Sequence, residues 1–161
     1  MKQLTQFIQE KLHISKFKKE DKYHYHPKDK KELRELLKKL IKERGNNADL
    51  NDIDTSNIND MSYIFNGNLL SIVNPDVSKW NVSNVKSMVC MFGDCIQFNN
   101  DLGDWDVSNV EEMKYMFDCC KNFEGKGLEK WNPKNLKNTY YMFRETKVSD
   151  ELLNKLTWYN K

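Results

Sequence analysis

Apolar residues recur at fixed intervals in four segments between residues 53 and 143. In each segment they stand at relative positions 0, 3, 6 and 7, a spacing that lines one face of a helix. The four sets are Ile58, Met61, Ile64 and Phe65; Val85, Met88, Met91 and Phe92; Val110, Met113, Met116 and Phe117; and Leu136, Thr139, Met142 and Phe143. This spacing predicts about two turns of helix in each segment, with one buried face.

The four segments are copies of one repeat. Repeat 1 is IDTSNINDMSYIF (53–65), repeat 2 is WNVSNVKSMVCMF (80–92), repeat 3 is WDVSNVEEMKYMF (105–117) and repeat 4 is WNPKNLKNTYYMF (131–143). The steps from one repeat to the next are 27, 25 and 26 residues. Because a two-turn helix is unstable alone, the repeats are expected to stack and to bury a shared core. That core includes the tryptophan that begins repeats 2, 3 and 4, where repeat 1 has Ile53.

The pattern W-[DN]-V-S-N-V-x-x-M-x-x-M-F resembles the BspA-like surface-protein repeat, a leucine-rich-repeat-like unit. The resemblance covers residues 49–147 and holds its register through four units. It implies a right-handed solenoid used for protein binding, and it carries over no catalytic residue. The expected fold class is therefore α/β: a short right-handed leucine-rich-repeat-like solenoid of about four coils, with a helical N-terminal cap and a C-terminal helix.

The expected organisation has a basic helical N-terminal segment and cap over 1–48, the repeats over 49–147 and a capping helix over 148–161. In the cap, residues 28–44 form an amphipathic pattern that ends at Gly45, a residue typical of helix C-termini. The face predicted to be buried consists of Leu33, Leu36, Leu37, Leu40 and Ile41.

Three smaller elements are predicted around these parts. Residues 2–12 have the pattern of a further helix, and the alternation over 23–26 is typical of an edge strand. Ser149 is the predicted N-cap of the final helix. The leucines of that helix expected to pack on the last repeat are Leu152, Leu153 and Leu156.

The net charge of +2 is unevenly distributed. Residues 1–45 contain 14 Lys and Arg against 7 Asp and Glu, whereas residues 46–161 contain 12 against 17 and all 19 asparagines. A basic segment with interleaved aromatic rings can follow a phosphate backbone and stack on bases, so nucleic-acid binding is one alternative function. Its candidate residues are Lys16, Lys18, Lys19, Lys22, Tyr23 and Tyr25.

Candidate chemistry is sparse. No stretch reaches the roughly 20 apolar residues of a membrane helix, and Glu10 and Lys11 lie where a secretory signal has its apolar centre. A cytoplasmic location is therefore expected, the alternative being the cell surface if an export signal has been removed. No phosphate-binding glycine loop or activated serine motif occurs, and the histidines and cysteines lack metal-site spacing, so no enzyme, cofactor or metal is expected. Cys95 and Cys120 share one register and are interpreted as buried thiols.

A surface column carries the main functional hypothesis. At 100° per residue, the position five after the first apolar residue of each helix points away from the core, and it holds Tyr63, Cys90, Tyr115 and Tyr141. Exposed tyrosines are common in recognition sites, although such rings can also simply cover neighbouring repeats. The candidate protein-binding residues are Tyr63, Tyr115, Tyr140, Tyr141 and Arg144.

These observations predict a non-catalytic, monomeric protein-binding module that does not contact a membrane. Its size and expected cytoplasmic location favour a small phage or mobile-element protein that binds and inhibits a host defence complex. The alternatives are a bacterial surface adhesion protein and an RNA- or DNA-binding protein that uses the basic N-terminal segment.

Overall fold

The computed structural model describes residues 22–66 and 73–159. Its regular elements are helix α1 (Lys30–Arg44), a short 3-10 helix (Leu128–Lys130) and helix α2 (Asp150–Lys155). Most of the remaining described chain is built from turns and bends, with isolated parallel bridges. The helix predicted over 2–12 lies outside the described residues.

The predicted α/β leucine-rich-repeat-like solenoid is wrong. The described ranges contain no β-strand and no sheet, and the two-turn helix expected in each repeat is replaced by turns. The backbone departs from a helix at the same position of each repeat, where φ is positive and lies outside the right-handed helical region. These residues are Tyr63 (58°), Cys90 (49°), Tyr115 (56°) and Tyr141 (52°).

Backbone amides in the repeats alternate between two kinds of acceptor. Every second amide donates to a carbonyl of the next repeat; in repeat 2 these bonds run from Met88, Cys90 and Phe92 to Glu112, Lys114 and Met116, at 2.8, 3.0 and 2.9 Å. Between them, the amide of Met91 donates three residues back to Met88 at 3.1 Å, and the amide of Ser62 in repeat 1 donates to the side chain of Asp60 at 2.8 Å. Because half of the amides close tight turns, pairing between repeats yields single bridges instead of continuous strands.

The apolar positions of each repeat nevertheless form the core. The predicted positions of repeats 1, 2 and 3 are buried, which confirms that part of the pattern, while Leu136 and Thr139 of repeat 4 are half-buried. The last phenylalanines of the repeats stack in one row, with ring centroids 5.1, 5.5 and 5.9 Å apart and planes within 8° of parallel. The row consists of Phe65, Phe92, Phe117 and Phe143.

Equivalent side chains of successive repeats donate hydrogen bonds to the part of the chain that precedes them. Trp80, Trp105 and Trp131 are buried, as predicted, and their indole N–H groups donate to the carbonyls of Leu50, Val77 and Leu102 at 2.9, 3.1 and 2.8 Å. The side-chain amides of Asn84, Asn109 and Asn135 likewise donate to backbone carbonyls of the preceding repeat. Each repeat therefore satisfies polar groups of the one before it.

Helix α1 packs against the first repeat. It begins at Lys30 instead of residue 28, because the carboxylate of Asp29 accepts from the Glu32 amide at 2.9 Å and caps the helix there. Its predicted apolar face is confirmed, with Leu36 half-buried and the rest buried: Leu33, Leu37, Leu40 and Ile41. The edge strand predicted over 23–26 is only an isolated bridge between Tyr25 and Ile53.

The C-terminal segment covers one part of repeat 4. Helix α2 has the predicted Ser149 cap, and Leu156 is buried while Leu152 and Leu153 are half-buried. Two aromatic contacts were not anticipated from the sequence. Trp158 stacks on Trp131 with centroids 5.9 Å apart, and Tyr159 meets Phe143 edge-on at 5.0 Å.

Cys95 and Cys120 are buried thiols, as predicted, and each donates to a carbonyl of the preceding repeat. Burial raises the pKa of the Cys95 thiol to about 12 and also raises the pKa of Cys120. Both thiols therefore stay neutral in the folded protein up to high pH.

At pH 8 we expect Ellman's reagent to leave Cys95 and Cys120 unmodified in the native protein and to modify all four cysteines in guanidinium chloride. The half-buried Cys90 and Cys119 serve as internal references. Because the folded pKa of Cys95 exceeds its ordinary value of 9.0, its contribution to stability is complete below pH 9 and is lost as the pH rises toward 12. Rapid native labelling of Cys120 would contradict this arrangement.

Candidate protein-binding surface

The predicted tyrosine column lies on the outside of the protein. Tyr63 and Tyr141 are 47% and 44% exposed, Tyr140 beside them is 53% exposed, and Tyr115 is half-buried. The helical geometry from which this direction was predicted is absent. The exposure arises instead because each tyrosine of the column occupies a left-handed corner of a turn, directly before a residue whose side chain enters the core: Ile64, Met116 or Met142.

Three of these rings form one contiguous group, called here the tyrosine cluster: Tyr115, Tyr140 and Tyr141. Tyr140 and Tyr141 have ring centroids 4.0 Å apart, and Tyr115 lies 5.8 and 5.7 Å from them. A hydrogen bond with Tyr141 raises the pKa of Tyr140. The cluster therefore presents a rigid aromatic surface with polar hydroxyl groups.

Two cations lie over the tyrosine cluster. The Lys114 ammonium is 5.0 Å from the Tyr115 centroid, and the Arg144 guanidinium is 5.1 Å from that of Tyr141. Arg144 also donates to both carboxylate oxygens of Asp118, at 2.7 and 2.8 Å, and this pairing raises the pKa of Arg144 above its ordinary value. Asp118 thus orients Arg144 against the ring and balances its charge.

Tyr63 is the outlying member of the predicted set. Cys90 separates it from the tyrosine cluster, and repulsion from the Cys90 thiolate together with a hydrogen bond to Cys90 raises the pKa of Tyr63. Tyr63 also contacts helix α1, because Arg34 donates a hydrogen bond to its backbone carbonyl. The structure therefore brings together Tyr115, Tyr140, Tyr141 and Arg144, with Tyr63 at the far end of the same column.

A cavity of about 530 Å³ adjoins the tyrosine cluster at the end of repeat 4. Tyr140, Tyr141 and Phe143 line it from the repeat, and Leu153 and Tyr159 line it from the C-terminal segment. Sequence reasoning missed this cavity, because its walls depend on how the C-terminal segment folds back. The adjacent aromatic residues at positions 158 and 159 are the one signal in the sequence that this segment packs against the repeats.

The residues of the alternative nucleic-acid site are placed differently. Lys16, Lys18 and Lys19 lie outside the described residues. Lys22 lies 5.1 Å over the ring of Tyr23, as in an ordinary surface cation–π pair. Half-buried Tyr25 packs on the core with Arg44 5.7 Å from its ring centroid, so this ring is part of the cap.

The two histidines of the described chain lie in separate polar contacts. His24 and His26 each contact one carboxylate, that of Asp52 at 3.2 Å and that of Asp54 at 3.4 Å. Across the part of the chain that the structure describes, no group of three or more His, Cys, Asp or Glu residues is placed to hold a metal ion. None of the helices found in that part has the length and apolar character needed to span a bilayer.

Comparison with known proteins identifies one family. The model of the family described as "Mycoplasma protein of unknown function, DUF285" matches residues 32–156, more than three quarters of the chain. No curated protein and no solved structure matches. The matched range contains most of helix α1, all four repeats and helix α2. The chain therefore belongs to this Mycoplasma family of unknown function, DUF285.

Proposed function

We propose that this protein is a non-catalytic protein-binding module whose contact surface centres on the tyrosine cluster. One observation carries the proposal: bulky tyrosines occupy left-handed backbone conformations and expose their rings. Tyr63, Tyr115 and Tyr141 have φ values of 58°, 56° and 52°. The two outer rings of this column are nearly half exposed.

A left-handed corner favours glycine or asparagine. For a bulky side chain such a conformation is a true outlier that costs about 1–3 kcal/mol. The chain contains 6 glycines and 19 asparagines, yet three of these four corners hold tyrosine. The exposed rings are not buried in this protein, so their burial offsets little of the cost of the strained backbone. Contact with another molecule would explain why tyrosine occupies these corners.

The surroundings suit protein recognition. Tyrosine and arginine are enriched among the residues that dominate binding energy at interfaces. Tyrosine buries a large area with only two side-chain torsions, and arginine offers a planar group of hydrogen-bond donors. The tyrosine cluster combines three such rings with Lys114 and Arg144. The resemblance of the repeats to BspA-like surface repeats supports the same class of function. Inhibition of a host complex and surface adhesion are two narrower forms of this proposal. The identity of the protein partner would distinguish between them.

The test is the double substitution Tyr115→Ala with Tyr141→Ala, measured against a protein partner recovered from the source cell. Alanine retains a Cβ, so the backbone corners change little, and stability should fall by no more than about 1 kcal/mol. Each ring lost should weaken binding by about 2 kcal/mol, roughly 30-fold in the dissociation constant. Isothermal titration calorimetry measures the affinity, and thermal unfolding shows that the variant is folded.

The matched control reverses the charge of Lys18, Lys19 and Lys22. This variant should bind the protein partner as the natural chain does. The nucleic-acid alternative predicts the opposite: affinity for nucleic acid that falls steeply with salt, is lost in the lysine variant and is indifferent to Tyr115. A folded double tyrosine variant with full affinity for the partner would remove the tyrosine cluster as the binding site.

A further inference from the structure

Within the described residues, repeat 4 leaves unpaired a row of backbone donors whose counterparts in repeats 2 and 3 donate to the next repeat. In repeat 3 the amides of Tyr115, Phe117 and Cys119 donate to the carbonyls of Tyr140, Met142 and Arg144 at 3.0, 3.0 and 2.9 Å. The amides of Cys90, Phe92 and Asp94 donate onward in the same way from repeat 2, and in repeat 1 Tyr63 and Phe65 donate to Val89 and Met91. The equivalent amides of repeat 4 belong to Tyr141, Phe143 and Glu145, called here the terminal edge.

No residue in the described ranges accepts a hydrogen bond from these three amides. The chain leaves the path of the repeats directly afterwards, since the amide of Lys147 donates back to Phe123 at 2.9 Å. Trp158 then covers Trp131, and Tyr159 touches the edge of Phe143. The C-terminal segment therefore closes the tryptophan side of repeat 4 and leaves its turn side open to the 530 Å³ cavity.

We propose that the terminal edge binds an extended segment of a partner protein, which presents a backbone carbonyl at every second residue. Alternate residues are required because the donors are spaced two apart and lie on one side of the chain. An apolar or aromatic side chain of that segment would enter the adjoining cavity, between Tyr140 and Tyr141 on one wall and Leu153 and Tyr159 on the other. This inference rests on the proposed protein-binding function but assigns the contact to backbone atoms.

A second copy of this chain is disfavoured as the occupant. The carbonyls that would complement the terminal edge lie at the opposite end, in repeat 1, where helix α1 packs. There Lys30 donates to the side chains of Asp60 and Ser62 at 2.9 and 2.6 Å, and Arg34 donates to the carbonyl of Asn66 at 2.7 Å. Because the helix occupies that end, head-to-tail stacking of two copies would require displacing it.

Hydrogen exchange of the isolated protein, followed by NMR, tests the open edge. The amides of Tyr141, Phe143 and Glu145 should exchange at least about tenfold faster than their matched counterparts in repeat 3, those of Tyr115, Phe117 and Cys119. Equal protection of the two rows in dilute protein would overturn the inference, because another part of the chain would then cover the edge. If these amides are protected only at high protein concentration, a second copy of this chain, and not a partner segment, occupies the terminal edge.

Binding is tested with a blocked synthetic peptide of residues 131–145, the sequence whose carbonyls accept from the equivalent row of repeat 3. Adding it should slow exchange at Tyr141, Phe143 and Glu145 by about tenfold or more and leave repeats 1 and 2 unchanged. A scrambled peptide of the same composition is the control. Unchanged rates at millimolar peptide, or equal slowing by the scrambled peptide, would overturn the inference.

The two proposals fail in different ways. If the double tyrosine variant retains full affinity for the cellular partner while the peptide still protects the three amides, the tyrosine cluster fails and the terminal edge stands. If the peptide protects nothing while the tyrosine variant loses its partner, the tyrosine cluster stands and the terminal edge fails.

Discussion

Replacing Phe117 with alanine is expected to lower the free energy of unfolding by about 3–5 kcal/mol. The ring lies in the middle of the phenylalanine row, 5.5 Å from Phe92 and 5.9 Å from Phe143, and Phe123 stacks on it at 4.0 Å. Phe117 is fully buried, so removing its ring leaves a cavity in the core. The rings on both sides would have to shift to fill that cavity. Because domains of this size are stable by only about 5–15 kcal/mol, the variant should be close to unfolding.

Urea denaturation followed by tryptophan fluorescence measures the change. Phe143→Ala is the matched control, since Phe143 contacts only one ring of the row and has the cavity beside it. Its loss should be smaller than that of Phe117. A midpoint for Phe117→Ala equal to that of the natural chain would show that the row contributes little to stability.

The burial of the repeats could be predicted from sequence, but their backbone could not. Apolar residues at relative positions 0, 3, 6 and 7 fit one face of a helix, and they fit equally well a series of tight turns that returns the chain to the core. Turns with a left-handed corner are usually signalled by glycine or asparagine. Here those corners hold tyrosine and cysteine, so the composition of each repeat concealed them.

The two helices at the ends of the described chain were easier to predict from sequence than the backbone of the repeats between them. Helices α1 and α2 have capping side chains and a leucine face, signals that act within a few residues. The contacts of Trp158 and Tyr159 depend on a reversal of the chain after repeat 4. No local sequence pattern predicts that reversal. The tyrosine column was predicted to be exposed through a helical geometry that does not exist, whereas the cavity and the terminal edge follow only from the fold.

Gly127→Ala is expected to destabilise the protein by about 3–5 kcal/mol, through a clash between adjacent segments of backbone. Gly127 has φ 85°, and a Cβ at this position would lie 2.3 Å from the backbone nitrogen of Gly103. It would also lie 2.3 Å from a carboxylate oxygen of Asp101, the oxygen that accepts from the Gly103 amide at 2.8 Å. Backbone cannot rotate away as a flexible side chain can, so the two segments would have to separate.

Gly45→Ala is the matched control for this substitution. Gly45 has φ 87° and ψ −178°, a backbone conformation that strains an alanine at least as much as the left-handed conformation of Gly127 (φ 85°, ψ −9°), but a Cβ there would meet no atom within 4 Å. It therefore measures backbone strain without a clash, about 1–3 kcal/mol. Left-handed φ values at Tyr115 and Cys119 show that this backbone tolerates the conformation in residues with a Cβ, so the clash should dominate at Gly127. A loss of stability for Gly127→Ala no larger than that for Gly45→Ala, measured by thermal unfolding, would contradict a dominant clash between Gly127 and Gly103.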